Sequence, residues 1–225
     1  KMFRLSNKLF KRVISRNFSL PTNENLRPFY VLGLNLGTQF GQEAKKLLSY
    51  EEIEAVLAGF NDFMTDKVVD QHVMMQQYGP GLNAILQGRI DAHVAALESQ
   101  KDLFLNEYFQ EFPNAVKTSS GLVYNEIVTG TGETPTIDSV IRVHYHGKFL
   151  DGKVFDSSIN RGEPASFPLK NVIQGWQEGL LLMKVGGKAQ IVIPSELAYG
   201  TNGAPPTIPP NSTLFFDVEL LALEN

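Results

Sequence analysis

The spacing of apolar residues changes its period once along this chain, and the change falls at Pro113. Upstream, Leu82, Ile85, Ile90, Val94, Leu97, Phe104, Tyr108 and Phe109 recur at helical steps up to Phe112. Downstream, Val143, Tyr145 and Gly147 fall on one face of a strand over 139–149 and His144 and His146 on the other, while Phe216, Val218 and Leu220 share a face over 212–223. Helices followed by strands make an α+β chain. Its 225 residues leave room for one large or two ordinary domains.

The helical part has its own punctuation. Pro28 suits a helix start, where its missing N–H costs nothing. Residues 30–40 read as a first helix, with Gly33, Gly37 and Gly41 as a bare stripe for close approach of another helix. Ser49, followed by Glu51 and Glu52, caps a second helix whose apolar face is Ile53, Val56, Leu57 and Phe60. Gly79-Pro80-Gly81 breaks the pattern, and a single helix of about 45 Å follows to Phe112. Met74 and Met75 read as core filler. The divisions are therefore 1–23, 24–78, 79–116 and 117–225.

Residues 1–23 carry six basic residues (Lys1, Arg4, Lys8, Lys11, Arg12 and Arg16) and no acid, whereas the rest holds 14 basic and all 24 acidic residues, a balance of −10. The body is no nucleic-acid binder by charge. In the head, Met2, Leu5, Leu9, Phe10, Val13 and Ile14 line one side of a helix, and Arg16-Asn17-Phe18-Ser19 looks like a processing site. The segment reads as a mitochondrial, or alternatively plastid, targeting sequence; the other reading is a docking helix for a membrane surface or acidic partner. Cysteine is absent, which excludes disulfides, thiol nucleophiles and cysteine-bound zinc. No apolar run is long enough for a membrane-spanning helix.

The stranded part carries the chemistry. Val154-Phe155-Asp156-Ser157-Ser158, Val172-Ile173-Gln174-Gly175-Trp176, Ala198-Tyr199-Gly200 and Phe216-Asp217-Val218-Glu219-Leu220 set aromatic and branched residues beside isolated polar groups, as a small dry pocket requires. Taken singly, Trp176 is equally a core residue, Asp156-Ser157-Ser158 a turn and Tyr199 a surface aromatic. His144 and His146 read as surface histidines or, more remotely, a metal pair. Residues 171–180 read as a short helix, 121–128 and 188–193 as strands, 117–120 as a polar link and 202–206 as a flexible flap.

In this order and spacing these motifs resemble the FKBP-type peptidyl-prolyl isomerases over about residues 121–223, and the helices before them resemble the Mip-like dimeric members. The resemblance implies an antiparallel sheet wrapped around a short helix, preceded by an all-helical dimerisation domain with a long stalk helix. It implies a folding helper that rotates Xaa-Pro bonds of polypeptide clients, with no metal or other cofactor. It implies Trp176 as floor under the proline ring, with Tyr145, Phe155, Val172, Phe216, Phe167 and Ile208 as walls. The Ile173 N–H and the Tyr199 hydroxyl hold substrate carbonyls, and Asp156, oriented by Tyr145 and Arg161, faces the imide. Ala165, Ala204 and Thr207 depart from the pattern of drug-binding relatives and thin the rim, so catalysis is expected more firmly than tight macrolide binding. A homodimer is expected. The alternative is a subunit of a larger organellar complex that keeps the fold for docking.

Overall fold

The computed structural model describes residues 21–39, 47–67 and 70–224; residues 1–20, including Arg16-Asn17-Phe18-Ser19, lie outside the described residues, as does Gly41. Two compact units divide between Gln87 and Gly88.

The first unit is helical. After a 3-10 turn at Glu24–Leu26 come α1 (Arg27–Gln39), α2 (Tyr50–Met64) and the start of α3 (Gln71–Glu111). The α2 start obeys the sequence: the Ser49 hydroxyl accepts the Glu52 N–H at 3.3 Å, and the Glu52 carboxylate accepts the Ser49 N–H at 2.7 Å. Helix α3 corrects one expectation. It begins at Gln71 and passes through Gly79-Pro80-Gly81, where the sequence reading places a break. Proline removes one main-chain hydrogen bond and crowds the preceding turn. A Cβ on Gly79 would meet only Met75 Cε at 3.7 Å and one on Gly81 nothing within 4 Å, and the helix continues through all three residues.

The second unit is a seven-stranded antiparallel sheet with one helix across it. The strands are β1 (Val116–Lys117), β2 (Val123–Val128), β3 (Val140–Phe149), β4 (Val154–Ser157), β5 (Ala165–Pro168), β6 (Lys188–Ile193) and β7 (Leu214–Glu224). Their order is β1-β2-β6-β7-β3-β4, and β5 also pairs with β3. Thus β3 is shared on one side: its start pairs with β5, and its end with β4. A one-turn helix α4 (Ser158–Arg161) joins that side, and α5 (Gln174–Leu181) follows a 3-10 turn at Leu169–Asn171. The helix read over 171–180 is therefore two pieces, with Val172 and Ile173 extended between them. The segment read as a polar link begins inside a short strand, β1.

One sheet face holds the main core, where Phe216, Val218 and Leu220 of β7 join Ile191 and Ile193 of β6 and Trp176 and Leu180 of α5. Helix α5 can lie this close because it presents glycines: a Cβ on Gly175 would stand 2.3 Å from Cγ2 of Ile193, and one on Gly179 2.6 Å from Cδ1 of Ile191. The opposite face is covered at one end by the last turns of α3. There Leu105 and Tyr108 bury Val123, Val192 and Phe215, with Phe104, Phe109 and Phe112 packed around them. The Tyr108 hydroxyl donates to Gln190 Oε1 at 2.7 Å and accepts from Asn125 Nδ2 at 3.2 Å. Desolvation in this layer pushes the Tyr108 phenol up to about 12, against the opposing effect of Asn125. The end of α3 is thus an integral layer of the second unit.

Candidate active site

Trp176 occupies the first turn of α5, and three rings meet it edge to face: Tyr145 at 5.2 Å, Phe216 at 5.3 Å and Phe167 at 5.8 Å between centroids. Phe155 stands edge-on to Phe216 at 5.5 Å. The two phenylalanines approach over the backbone of Gly147, where a Cβ would come within 2.8 Å of both. The indole Nε1 is buried and has no hydrogen-bond partner among the described residues.

One polar cluster adjoins this aromatic wall. The Tyr145 hydroxyl donates to Asp156 Oδ2 at 2.5 Å and accepts from Arg161 Nη2 at 2.8 Å; Arg161 Nη1 closes the triangle by bonding to Asp156 Oδ1. The local fold explains the arrangement. Strand β4 delivers Asp156 opposite Gly147, the Ser157 hydroxyl caps α4 by accepting the Asn160 N–H at 3.1 Å, and that single turn brings Arg161 back beside Asp156. Burial would raise the Asp156 carboxyl, but hydrogen bonds from Tyr145 and Arg161, with the Arg161 charge, hold it below the ordinary value of 3.8. Burial first, then the Asp156 hydrogen bond, raises the Tyr145 phenol above 10.0.

The sequence reading gives Ser157 and Ser158 no role, yet both are buried. Ser158 Oγ accepts the Tyr145 N–H at 2.8 Å and contacts His144 Nδ1 at 3.1 Å; Ser157 Oγ contacts His146 Nδ1 at 3.0 Å. At the end of β4 these hydroxyls pair with the main chain of Tyr145: both donate to its carbonyl, at 3.4 and 3.3 Å. Two adjacent hydroxyls directly after a motif aspartate are the signal that was available. The histidines are hydroxyl partners here.

Val172 and Ile173 pack against the same core cluster, and Ile208 is buried within it. Ile208 arrives there because its loop closes on itself: Ala204 and Ile208 exchange main-chain hydrogen bonds of 2.8 and 2.9 Å, which gives the segment read as a flap a defined shape. The Ile173 N–H, at the N-cap of α5, has no acceptor among the described residues. Tyr199 stands apart from the aromatic group: its side chain is 41% exposed, and its hydroxyl makes no hydrogen bond among the described residues.

The cluster therefore offers an apolar surface at Trp176, aromatic rings around it, a fixed carboxylate and, at Ile173, a donor with no acceptor among the described residues. This suits binding and twisting a planar group. The pKa directions keep Asp156 ionised and Tyr145 protonated across the neutral range. Any activity that uses the pair should be flat between about pH 5 and 9. A group whose folded pKa is depressed contributes stability above its unfolded pKa and loses it as pH falls through the folded one, so the acid limb belongs below about pH 4. A pH–rate profile with an inflection between about 5 and 8 would contradict this assignment.

Residues 131–221 match the family described as FKBP-type peptidyl-prolyl cis-trans isomerase, and residues 27–125 match the domain amino-terminal to such isomerases. The chain is 41% identical over 207 residues to the FKBP-type peptidyl-prolyl cis-trans isomerase FkpA of Escherichia coli, covering 88% of this chain and 76% of that protein. It is 42% identical over 199 residues to the 22 kDa FKBP-type isomerase of the same organism, covering 86% and 93%. The crystal structure of Escherichia coli FkpA superposes with a TM-score of 0.60 at 37% identity, over 92% of this chain and 99% of that one. These relatives are bacterial, as are those from Aeromonas hydrophila and Buchnera aphidicola. That overturns the mitochondrial or plastid destination read from residues 1–23. A basic amphipathic pattern also suits membrane-surface and partner-docking segments and carries no address by itself. The organellar assembly reading loses its basis with it.

Proposed function

Because the chain belongs to the FKBP-type peptidyl-prolyl cis-trans isomerases and is an isomerase of Xaa-Pro bonds, we propose that it turns those bonds over Trp176. Rotation must overcome about 18–20 kcal/mol of amide resonance, and no covalent bond is broken. The twisted imide has lost that resonance and carries less charge separation than the planar one, so a dry pocket favours it over the ground state. Trp176 takes the proline ring, with Tyr145, Phe155, Phe167, Val172, Ile208 and Phe216 as walls. The Ile173 N–H and the Tyr199 hydroxyl hold carbonyls on either side of the bond, and the Asp156 carboxylate, fixed by Tyr145 and Arg161, faces the twisting imide. The observation that carries this reading is a buried indole ringed edge-on by three aromatics beside one oriented carboxylate.

Trp176 is the only tryptophan of the chain, so its fluorescence reports this site alone. Titration with a Leu-Pro tetrapeptide should change its intensity saturably, and the Leu-Ala analogue should not. No response to the proline peptide would remove Trp176 from the floor.

The helical half makes a homodimer. Phe29 of α1, Phe63 of α2 and Tyr78 of α3 are 69, 58 and 58% exposed, and a Cβ on Gly33 or Gly37 would meet nothing within 4 Å. Apolar helix faces this bare need a second chain to cover them. Light scattering at micromolar concentration should give twice the 25.0 kDa chain mass. A monomer would contradict the dimer.

A further inference from the structure

The donor at Ile173 is only as useful as its direction, and something must hold the peptide unit that carries it. Val172 and Ile173 are extended between two helical pieces; the Val172 N–H donates to Leu169 and the Ile173 carbonyl accepts from Trp176 and Gln177, but the peptide unit that joins the two residues has no main-chain partner among the described residues. The structure assigns this task to Gln177. Its Nε2 donates to the Val172 carbonyl at 2.8 Å and to the Lys170 carbonyl at 3.3 Å. Both acceptors are carbonyls, which can only accept, so the orientation of the amide group follows from its surroundings. Gln177 is therefore a positioning residue, anchored in α5 one turn beyond Ile173.

The geometry of a peptide bond makes the anchor effective at a distance. The Val172 C=O and the Ile173 N–H belong to one planar unit, and in the trans form they point in opposite directions. Tying down the carbonyl aims the N–H. Gln177 holds the inner end of this unit, and the outer end is left as a fixed donor with no partner of its own among the described residues. A donor already aimed costs less to use than one that must be ordered when the client binds. The chemistry calls for a donor at this position; a carboxylate of the same length would turn two acceptors on two acceptors. This inference rests on the reading that the Ile173 N–H holds a substrate carbonyl.

The test uses the full chain and two variants, Gln177→Glu and Gln177→Ala, assayed on a Leu-Pro peptide, with the Ile173 amide followed by ¹H–¹⁵N NMR. At pH 8, kcat/KM should fall about tenfold in Gln177→Glu and about fivefold in Gln177→Ala, through KM, the size expected for one misaimed hydrogen bond. The introduced carboxyl faces the Lys170 and Val172 carbonyls, so its pKa rises, and once protonated it can donate. Near pH 5 the Gln177→Glu variant should return to within about twofold of the parent, while Gln177→Ala stays low. The Ile173 amide resonance should move in both variants at pH 8 and return in Gln177→Glu at pH 5. Unchanged kcat/KM with an unmoved Ile173 amide would overturn the assignment. A pH-independent loss with that amide unmoved would also overturn it, because Gln177 would then act elsewhere. A displaced Ile173 amide with unchanged kcat/KM would leave the anchor standing but remove the Ile173 contact with substrate, and with it any part for Gln177 in the reaction.

Discussion

A chain beginning at Lys117 should fail to hold the fold that one beginning at Gly88 holds, although both contain every strand from β2 onward and every proposed site residue. Without α3, Val123, Val192 and Phe215, now 1, 2 and 4% exposed, would face water as one patch. Burying a large apolar side chain stabilises by about 1.5–3 kcal/mol, so their loss amounts to on the order of 5 kcal/mol. The Tyr108–Gln190 hydrogen bond would go too, and the buried Asn125 would lose its phenol partner. Domains of this size have only about 5–15 kcal/mol in total. Thermal unfolding should show a cooperative transition for residues 88–225 and, for residues 117–225, either none or one lowered by more than about 10 °C. Equal midpoints would mean that the end of α3 is an ornament on a self-sufficient sheet. The domain we propose therefore starts within α3, well before residue 117.

That boundary shows what the sequence could and could not convey. Period alone separated the helical from the stranded half, because 3.6 and 2 are far apart and each half keeps its own. It also carried the shared face of Phe216, Val218 and Leu220, and residue type marked Ser49 as a helix cap. The outer layer was harder to read. Helical spacing says that Phe104 and Tyr108 face something, without saying what. The available clue was a lapse in alternation, Ile191-Val192-Ile193 and Phe215-Phe216, since a strand apolar on both sides is covered on both sides. The start of α3 was misplaced because proline and glycine ordinarily stop helices, and only the three-dimensional course shows that this one continues.

For the site, the motifs held Asp156 and the family resemblance implied Tyr145 and Arg161 beside it, and the structure brings these three together with Trp176, Phe155, Phe167 and Phe216. What stayed hidden were groups whose work depends on how the main chain folds back: Ser157 and Ser158 beneath Tyr145, and Gln177 beneath the Val172–Ile173 peptide. Their types are ordinary in a strand end or a helix turn, and their partners are backbone atoms that no residue pattern displays.

The central claim is that this pocket lowers the barrier to Xaa-Pro rotation by orienting Asp156 and Tyr199 about a proline seated on Trp176. Uncatalysed relaxation of an Xaa-Pro peptide takes tens to hundreds of seconds at 25 °C, slow enough to follow directly. The decisive measurement is protease-free cis-to-trans relaxation of a Leu-Pro peptide with the full chain and with the Asp156→Ala/Tyr199→Phe double variant, near-ultraviolet circular dichroism showing that both are folded. Removing an oriented carboxylate and a hydroxyl donor should cost about 3 kcal/mol of transition-state stabilisation, about a hundredfold in kcat/KM. The parent should accelerate relaxation at micromolar concentration, and the folded double variant should return it close to the uncatalysed rate. Equal acceleration by the two proteins would show that the bond is turned without these groups and would contradict the account.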